Sequence, residues 1–150
     1  MQSESSRKHK KPDLEQVLFV IREVNTLPVF GSEPMYELNK KNIEKIKSAI
    51  EIPFLSFFGR EKYPTLEEKA AAMLYFVSKN HAFPNGNKRT AVIMMLALLI
   101  ENGKWINLSS DELYNFSLEI TRNPSKNHEA IISSIADILK NRIIKFPNPI

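Results

Sequence analysis

A chain of 150 residues with 43% apolar and 25% charged side chains is long enough for one domain with its own hydrophobic core. It contains no cysteine, which excludes disulfides and thiolate metal sites and suits a reducing cytoplasm. Part of the net charge of +4 sits in Arg7, Lys8, Lys10 and Lys11; with no aromatic partners this run reads as a solvated basic end, and a nucleic-acid role ranks last.

Residues 1–12 are therefore expected to be a flexible basic N-terminus with no secretory apolar region. A first helix is expected from Asp13 to about Asn25, with Leu14, Val17, Leu18, Ile21 and Val24 on one face. The segment from Leu27 to Leu38 holds two prolines and a glycine and reads as an irregular loop or short hairpin. A second helix starts near Asn39 and carries Ile43, Ile46, Ala49 and Ile50. Between Pro53 and Pro64 the chain is too rich in proline, glycine and aromatics to be helical throughout.

Thr65 and Glu68 have the spacing of a capping box, opening a third helix with Leu66, Ala70, Met73, Leu74 and Val77 at helical intervals. Pro84 and Gly86 break it. A fourth helix runs from about Asn87 to Asn102 and is closed by Gly103. Its ten consecutive apolar residues, Ala91 to Ile100, imply burial on nearly all sides, and the run is half the ~20 residues a membrane span needs. Ser109 with Glu112 predicts a second capping box and a helix through Leu113, Phe116 and Ile120. The last helix carries Ile131, Ile135, Ile138 and Leu139. Strand alternation is nearly absent, so the predicted fold is all-α, a bundle around helix 87–102.

The segment with the most chemical character is His81-Ala82-Phe83-Pro84-Asn85-Gly86-Asn87-Lys88-Arg89-Thr90-Ala91, between two helices and just ahead of the most buried one. A helix start exposes unpaired N–H groups and the positive end of the dipole, so it favours anions. Gly86 lets a ligand approach the backbone. Lys88 and Arg89 add positive charge where a helix by itself disfavours it, which makes sense if an anion neutralises them, and Arg binds phosphate through paired hydrogen bonds. A neutral His81 imidazole could take a proton from a hydroxyl attacking a bound phosphate. Phe83 is expected to anchor the loop in the core. Taken singly, these residues have plainer readings: a structural histidine, a solvated cation pair, a turn glycine. Their convergence on one turn points to a phosphate-binding helix start with an adjacent candidate base.

These residues resemble the Fic/Doc signature H-x-F-x-[D/E]-G-N-[G/K]-R, with His81, Phe83, Gly86, Asn87, Lys88 and Arg89 in register. Thr90 and Ala91 look like the Doc (death-on-curing) branch, as do Phe57-Phe58-Gly59, Tyr63-Pro64-Thr65-Leu66, Lys69-Ala70-Ala71 and Asn80. The resemblance implies a Fic/Doc domain over residues 13–145, with ATP and Mg²⁺ as cofactors. It implies His81 as general base and Arg89 as the second catalytic residue, pairing with phosphate oxygens in the transition state. Gly86, Asn87 and Lys88 would offer backbone amides to the nucleotide phosphate, and the Asn87 side chain could join them. The loop around Val29 to Met35 stands in the place of the family's flap, which positions the target segment.

Three departures bear on the reaction. AMP-transferring branches usually have Gly at the position of Lys88 and a second Arg at that of Val92; Doc-like members share the pattern seen here, which is associated with presenting the γ-phosphate. Asn85 stands where the family has Asp or Glu to hold Mg²⁺; its carbonyl can ligate a hard cation but brings no charge. The resemblance thus implies a bacterial or phage toxin moving a phosphoryl group from ATP to a hydroxyl of a target protein. Transfer of AMP to Ser, Thr or Tyr and a catalytically inactive binding module remain as alternatives. Ser125 and Glu129 match the spacing of an inhibitory Fic helix, but Ala130 fails its last position, and a helix cap with a first-turn acid is the expected reading. Inhibition would then come from an antitoxin whose disordered segment folds on binding. Homo-oligomerisation is left open, and no membrane partner is expected.

Overall fold

The computed structural model describes residues 9–24, 36–80, 82–83, 86–124 and 126–146. Six α-helices account for most of them: α1 (Leu14–Val24), α2 (Lys40–Ile50), α3 (Leu66–Lys79), α4 (Asn87–Glu101), α5 (Ser110–Arg122) and α6 (His128–Lys140). Their starts follow from local side-chain chemistry. Asp13 accepts from the Gln16 amide at 3.1 Å ahead of α1, Asn39 caps α2, and Asn127 caps α6. Both predicted capping boxes are formed, Thr65 with Glu68 at α3 and Ser109 with Glu112 at α5, each satisfying two otherwise orphaned amides.

Helices α3 and α4 together form the centre of the bundle: α4 packs most extensively against α3 and also meets α1, α5 and the strand Lys104–Ile106, while α3 also packs on α6, α5 and the turn at Ile52–Phe54. Ala91, Met94, Met95, Leu98 and Leu99 are fully sealed from solvent, as the unbroken apolar run predicts; Leu96 and Ala97 are half-buried, and Ile100 surfaces at 40% exposure. Helix α3 is buried as thoroughly over Lys69–Tyr75, because Ala70, Ala71 and Ala72 add no bulk on any side and let neighbours close in. Among the described residues, no helix is long and apolar enough to cross a membrane.

Two small sheets of very short strands accompany the helices, in keeping with an all-α chain. β1 (Ser56–Phe57) pairs antiparallel with β2 (Arg60–Glu61), inside the segment read only as too irregular for helix. The hairpin expected near 27–38 falls mostly outside the described residues. Phe58 and Gly59 turn the hairpin with φ of 53° and 78°, the two positive values a tight two-residue turn requires, and a non-glycine residue there costs about 1 kcal/mol. A 3₁₀ turn (Ile52–Phe54) precedes the hairpin. β3 (Lys104–Ile106) pairs with β4 (Ile143–Lys145) across the intervening α5 and α6, tying the chain after α6 back to the end of α4.

Residues 9–12, expected within the flexible start, are held in place. The Lys10 backbone brackets the Asn102 amide at 2.7 and 2.9 Å, Lys11 pairs with Glu51 at 2.7 Å, and Pro12 is buried. The hairpin has a firmer anchor. Lys69 of α3, with no exposed side-chain surface, reaches Glu61 of β2 at 2.9 Å and the Tyr63 carbonyl at 2.7 Å.

Candidate functional site

The chemistry predicted from the sequence centres on the turn from α3 into α4. Of its residues, His81, Pro84 and Asn85 lie outside the described residues, as do Val29 to Met35 and Ser125. Phe83, Gly86, Asn87, Lys88 and Arg89 are brought together. Gly86 caps α4 in the left-handed region, φ 74° and ψ 13°, with no side chain to bond the helix amides. The first backbone bond of the helix runs from the Thr90 amide to the Gly86 carbonyl at 2.9 Å. Amides ahead of Thr90 therefore have no carbonyl of their own helix to pair with.

Two cations follow directly. Lys88 is half-buried and Arg89 is 8% exposed, so the Arg89 side chain is largely withdrawn from bulk water. A cation withdrawn from solvent near the positive end of a helix is stable only among good hydrogen-bond acceptors. Val92, where an AMP-transferring chain would carry a second Arg, is an apolar core side chain at 2% exposure. The turn's cationic side chains are thus Lys88 and Arg89.

Asn87 plays a part the sequence did not show. Its side-chain Oδ1 accepts from the Phe83 amide at 3.1 Å, and its Nδ2 donates to the Phe83 carbonyl at 2.8 Å. In this structure the side-chain amide is engaged in bracing the loop. Phe83 itself is 5% exposed and belongs to the core, as predicted.

Three further residues shape the turn, and sequence reasoning missed the part of each. Tyr36, just before α2, stacks face to face on Phe83 with ring centroids 3.8 Å apart and planes 6° apart. Its hydroxyl lies 2.7 Å from Thr90 Oγ1, and Thr90 Oγ1 donates to the Gly86 carbonyl at 2.8 Å. Burial pushes the Tyr36 hydroxyl up to about 12, so it stays protonated at any physiological pH. Lys45 of α2 donates through Nζ to the Ala82 carbonyl and lies 5.6 Å from the Phe83 ring centre, a cation–π distance. Of these contacts only Thr90 to Gly86, four residues apart, carries a local signal.

A cavity of about 400 Å³ opens beside the turn, with Glu44, Lys45, Ser48 and Asn80 among its polar lining and Val77 and Met94 among its apolar lining. Its size is in the range of small-ligand sites. Among the described residues no group of three or more His, Asp or Glu side chains gathers that could hold a metal. Glu129, whose spacing from Ser125 raised an inhibitory motif, sits instead in the first turn of α6. It pairs with Lys62 at 3.3 Å and accepts from the Tyr63 hydroxyl at 3.3 Å, and burial together with this carboxylate raises the Tyr63 hydroxyl.

The arrangement can hold an anion at the start of α4 and brace the turn that presents it. A toxin named Toxin Doc, from Mycolicibacterium smegmatis (strain ATCC 700084 / mc(2)155), is 36% identical over 75 residues, covering 50% of this chain and 56% of the relative. The chain thus spans little more than half the length of that curated relative. No solved structure gave a significant match. The Fic/DOC family model matches residues 13–99, which is more than half the chain and takes in the whole turn from His81 to Arg89; the chain belongs to the Fic/DOC family.

Proposed function

We propose that this protein is a Doc-like toxin that transfers the γ-phosphoryl group of ATP to a hydroxyl side chain of a target protein, in the cytoplasm. The observation that carries the reading is the start of α4: a left-handed glycine cap with no side chain to offer, followed at once by Lys88 and Arg89. Family membership and the similarity to Toxin Doc support it.

In this reading the His81 imidazole takes the proton from the target hydroxyl as its oxygen bonds to the γ-phosphorus. The bond from that phosphorus to the bridging oxygen of ADP breaks, and ADP leaves. Charge on the equatorial oxygens of a loose transition state is met by Arg89, Lys88 and the first-turn amides, positions fixed before the reaction begins. Mg²⁺ would neutralise the nucleotide's phosphates; Asn85 would be its protein ligand, through the side-chain carbonyl, and most of the metal's other ligands would be phosphate oxygens and water. The buried Val92 and the presence of Lys88 favour the γ-phosphate over the α-phosphate as the group attacked. An inhibitory antitoxin segment would need an apolar surface; the groove lined by Phe19, Val20, Ile93, Leu96, Ile100 and Trp105 has that character.

The test is mass spectrometry of lysate proteins incubated with Mg²⁺-ATP and this protein, with His81→Ala as control. Added phosphate of about 80 Da on a hydroxyl supports the reading, whereas about 329 Da assigns AMP transfer, because the two reactions attack different phosphates of one nucleotide. Neither mass, with folded protein, assigns an inactive binding module.

A further inference from the structure

Thr90 has one hydroxyl proton, and it is donated to the Gly86 carbonyl. The 2.7 Å contact between Tyr36 and Thr90 must then run with the Tyr36 O–H as donor. The result is a directed chain, Tyr36 O–H to Thr90 Oγ1–H to Gly86 C=O, in which both side chains are buried at 4% and 0% exposure. The same carbonyl also accepts from the Thr90 amide at 2.9 Å. Two donors from one residue leave it little freedom to swing.

The peptide joining Gly86 to Asn87 is planar and trans, so its N–H points opposite to its C=O. Fixing the Gly86 carbonyl down the helix therefore aims the Asn87 N–H out of the helix start, toward an incoming anion. A left-handed glycine has wide backbone freedom, and this is the peptide that most needs a restraint from outside. The ring of Tyr36, stacked on Phe83, holds the other side of the same turn, whose backbone Asn87 brackets.

We propose that Tyr36 is a positioning residue of this site, acting through Thr90 to orient the Asn87 backbone amide. This rests on the reading of the α4 start as a phosphate site, and it adds a residue 54 positions away from Thr90 in the chain to the site's machinery. Tyr36 touches no reacting atom; its hydroxyl sets the direction of a dipole that does.

The probe is inorganic triphosphate, titrated calorimetrically into wild type, Tyr36→Phe, Thr90→Val, Thr90→Ser and the Tyr36→Phe/Thr90→Val double variant, with the Asn87 amide resonance recorded for each without ligand. Tyr36→Phe keeps the ring stack and removes only the donor. Loss of one aligned hydrogen bond should weaken binding about three- to tenfold in Tyr36→Phe and in Thr90→Val. The double variant should be no weaker than Thr90→Val, because a chain broken once cannot be broken again, and Thr90→Ser should retain wild-type affinity. The Asn87 resonance should move in Tyr36→Phe. Wild-type affinity with an unmoved resonance in Tyr36→Phe overturns the proposal, and so do losses that multiply in the double variant. If wild type binds no triphosphate, the phosphate reading falls separately, and the Asn87 resonance in Tyr36→Phe alone decides whether the hydroxyl orients that amide.

Discussion

Helices α3 and α4 are both buried and pack against each other, yet they begin in opposite ways. At α3 the Thr65 hydroxyl accepts from the Glu68 amide at 3.1 Å, Glu68 returns a bond to the Thr65 amide at 3.1 Å, and Glu67 and Glu68 place negative charge in the first turn. At α4 a left-handed glycine offers no cap, the first turn holds no acid, and Lys88 and Arg89 stand where the dipole disfavours them. The α3 start is completed by its own residues. On the proposed reading the α4 start takes an anion from outside, and it is kept in shape by Tyr36, Lys45 and Asn87. Stability and binding would then fall to different helix ends.

That contrast can be broken at either end. The largest effect on transfer is expected at α4: Arg89→Ala should lower it on the order of a hundredfold, as loss of one preorganised transition-state donor does. Single-turnover kinetics on folded protein would check it, and unchanged turnover would remove Arg89 from the machinery. At α3, Lys69→Met should destabilise the fold by about 3 kcal/mol by stranding Glu61 without its partner; chemical denaturation reads this directly. Thr65→Ala should cost about 1 kcal/mol through loss of the cap, with transfer per folded molecule unchanged. The smallest change is the most telling. Lys88→Ala should stabilise the free protein by about 0.5 kcal/mol, by relieving the helix dipole, while weakening triphosphate binding. If both quantities moved the same way, the division of labour between the two starts would be wrong.

What could be read from the sequence divides along the same physical line. The capping boxes at Thr65 and Ser109 are patterns three residues long, and the apolar run of α4 announces a central helix without any tertiary knowledge. That glycine, lysine and arginine gather at one helix start was legible because they adjoin in the chain. The β1–β2 hairpin was not legible: its strands are two residues each, largely exposed, and turned by Phe-Gly in place of the usual Asn-Gly. Pairing of β3 with β4 spans two helices and leaves no local trace. Nor could Tyr36 or Lys45 be found, since their contacts with Thr90 and Ala82 cross 54 and 37 positions and exist only once α2 is docked. Alanine is ambiguous in a hydrophobic pattern: Ala71 and Ala72, not among the apolar positions predicted for α3, are as sealed as the leucines.

The sealed ammonium of Lys69 also gives a practical handle. With no exposed side-chain surface and two oxygens within 2.9 Å, it should resist acylation by amine-reactive reagents for as long as the protein stays folded. Its modification would therefore report unfolding alone. The half-buried Lys88 should acylate slowly in the free protein and more slowly with an anion in place. The ratio of the two labelled peptides then separates occupancy of the α4 start from loss of the fold within one digest, without a purified target or any assay of turnover.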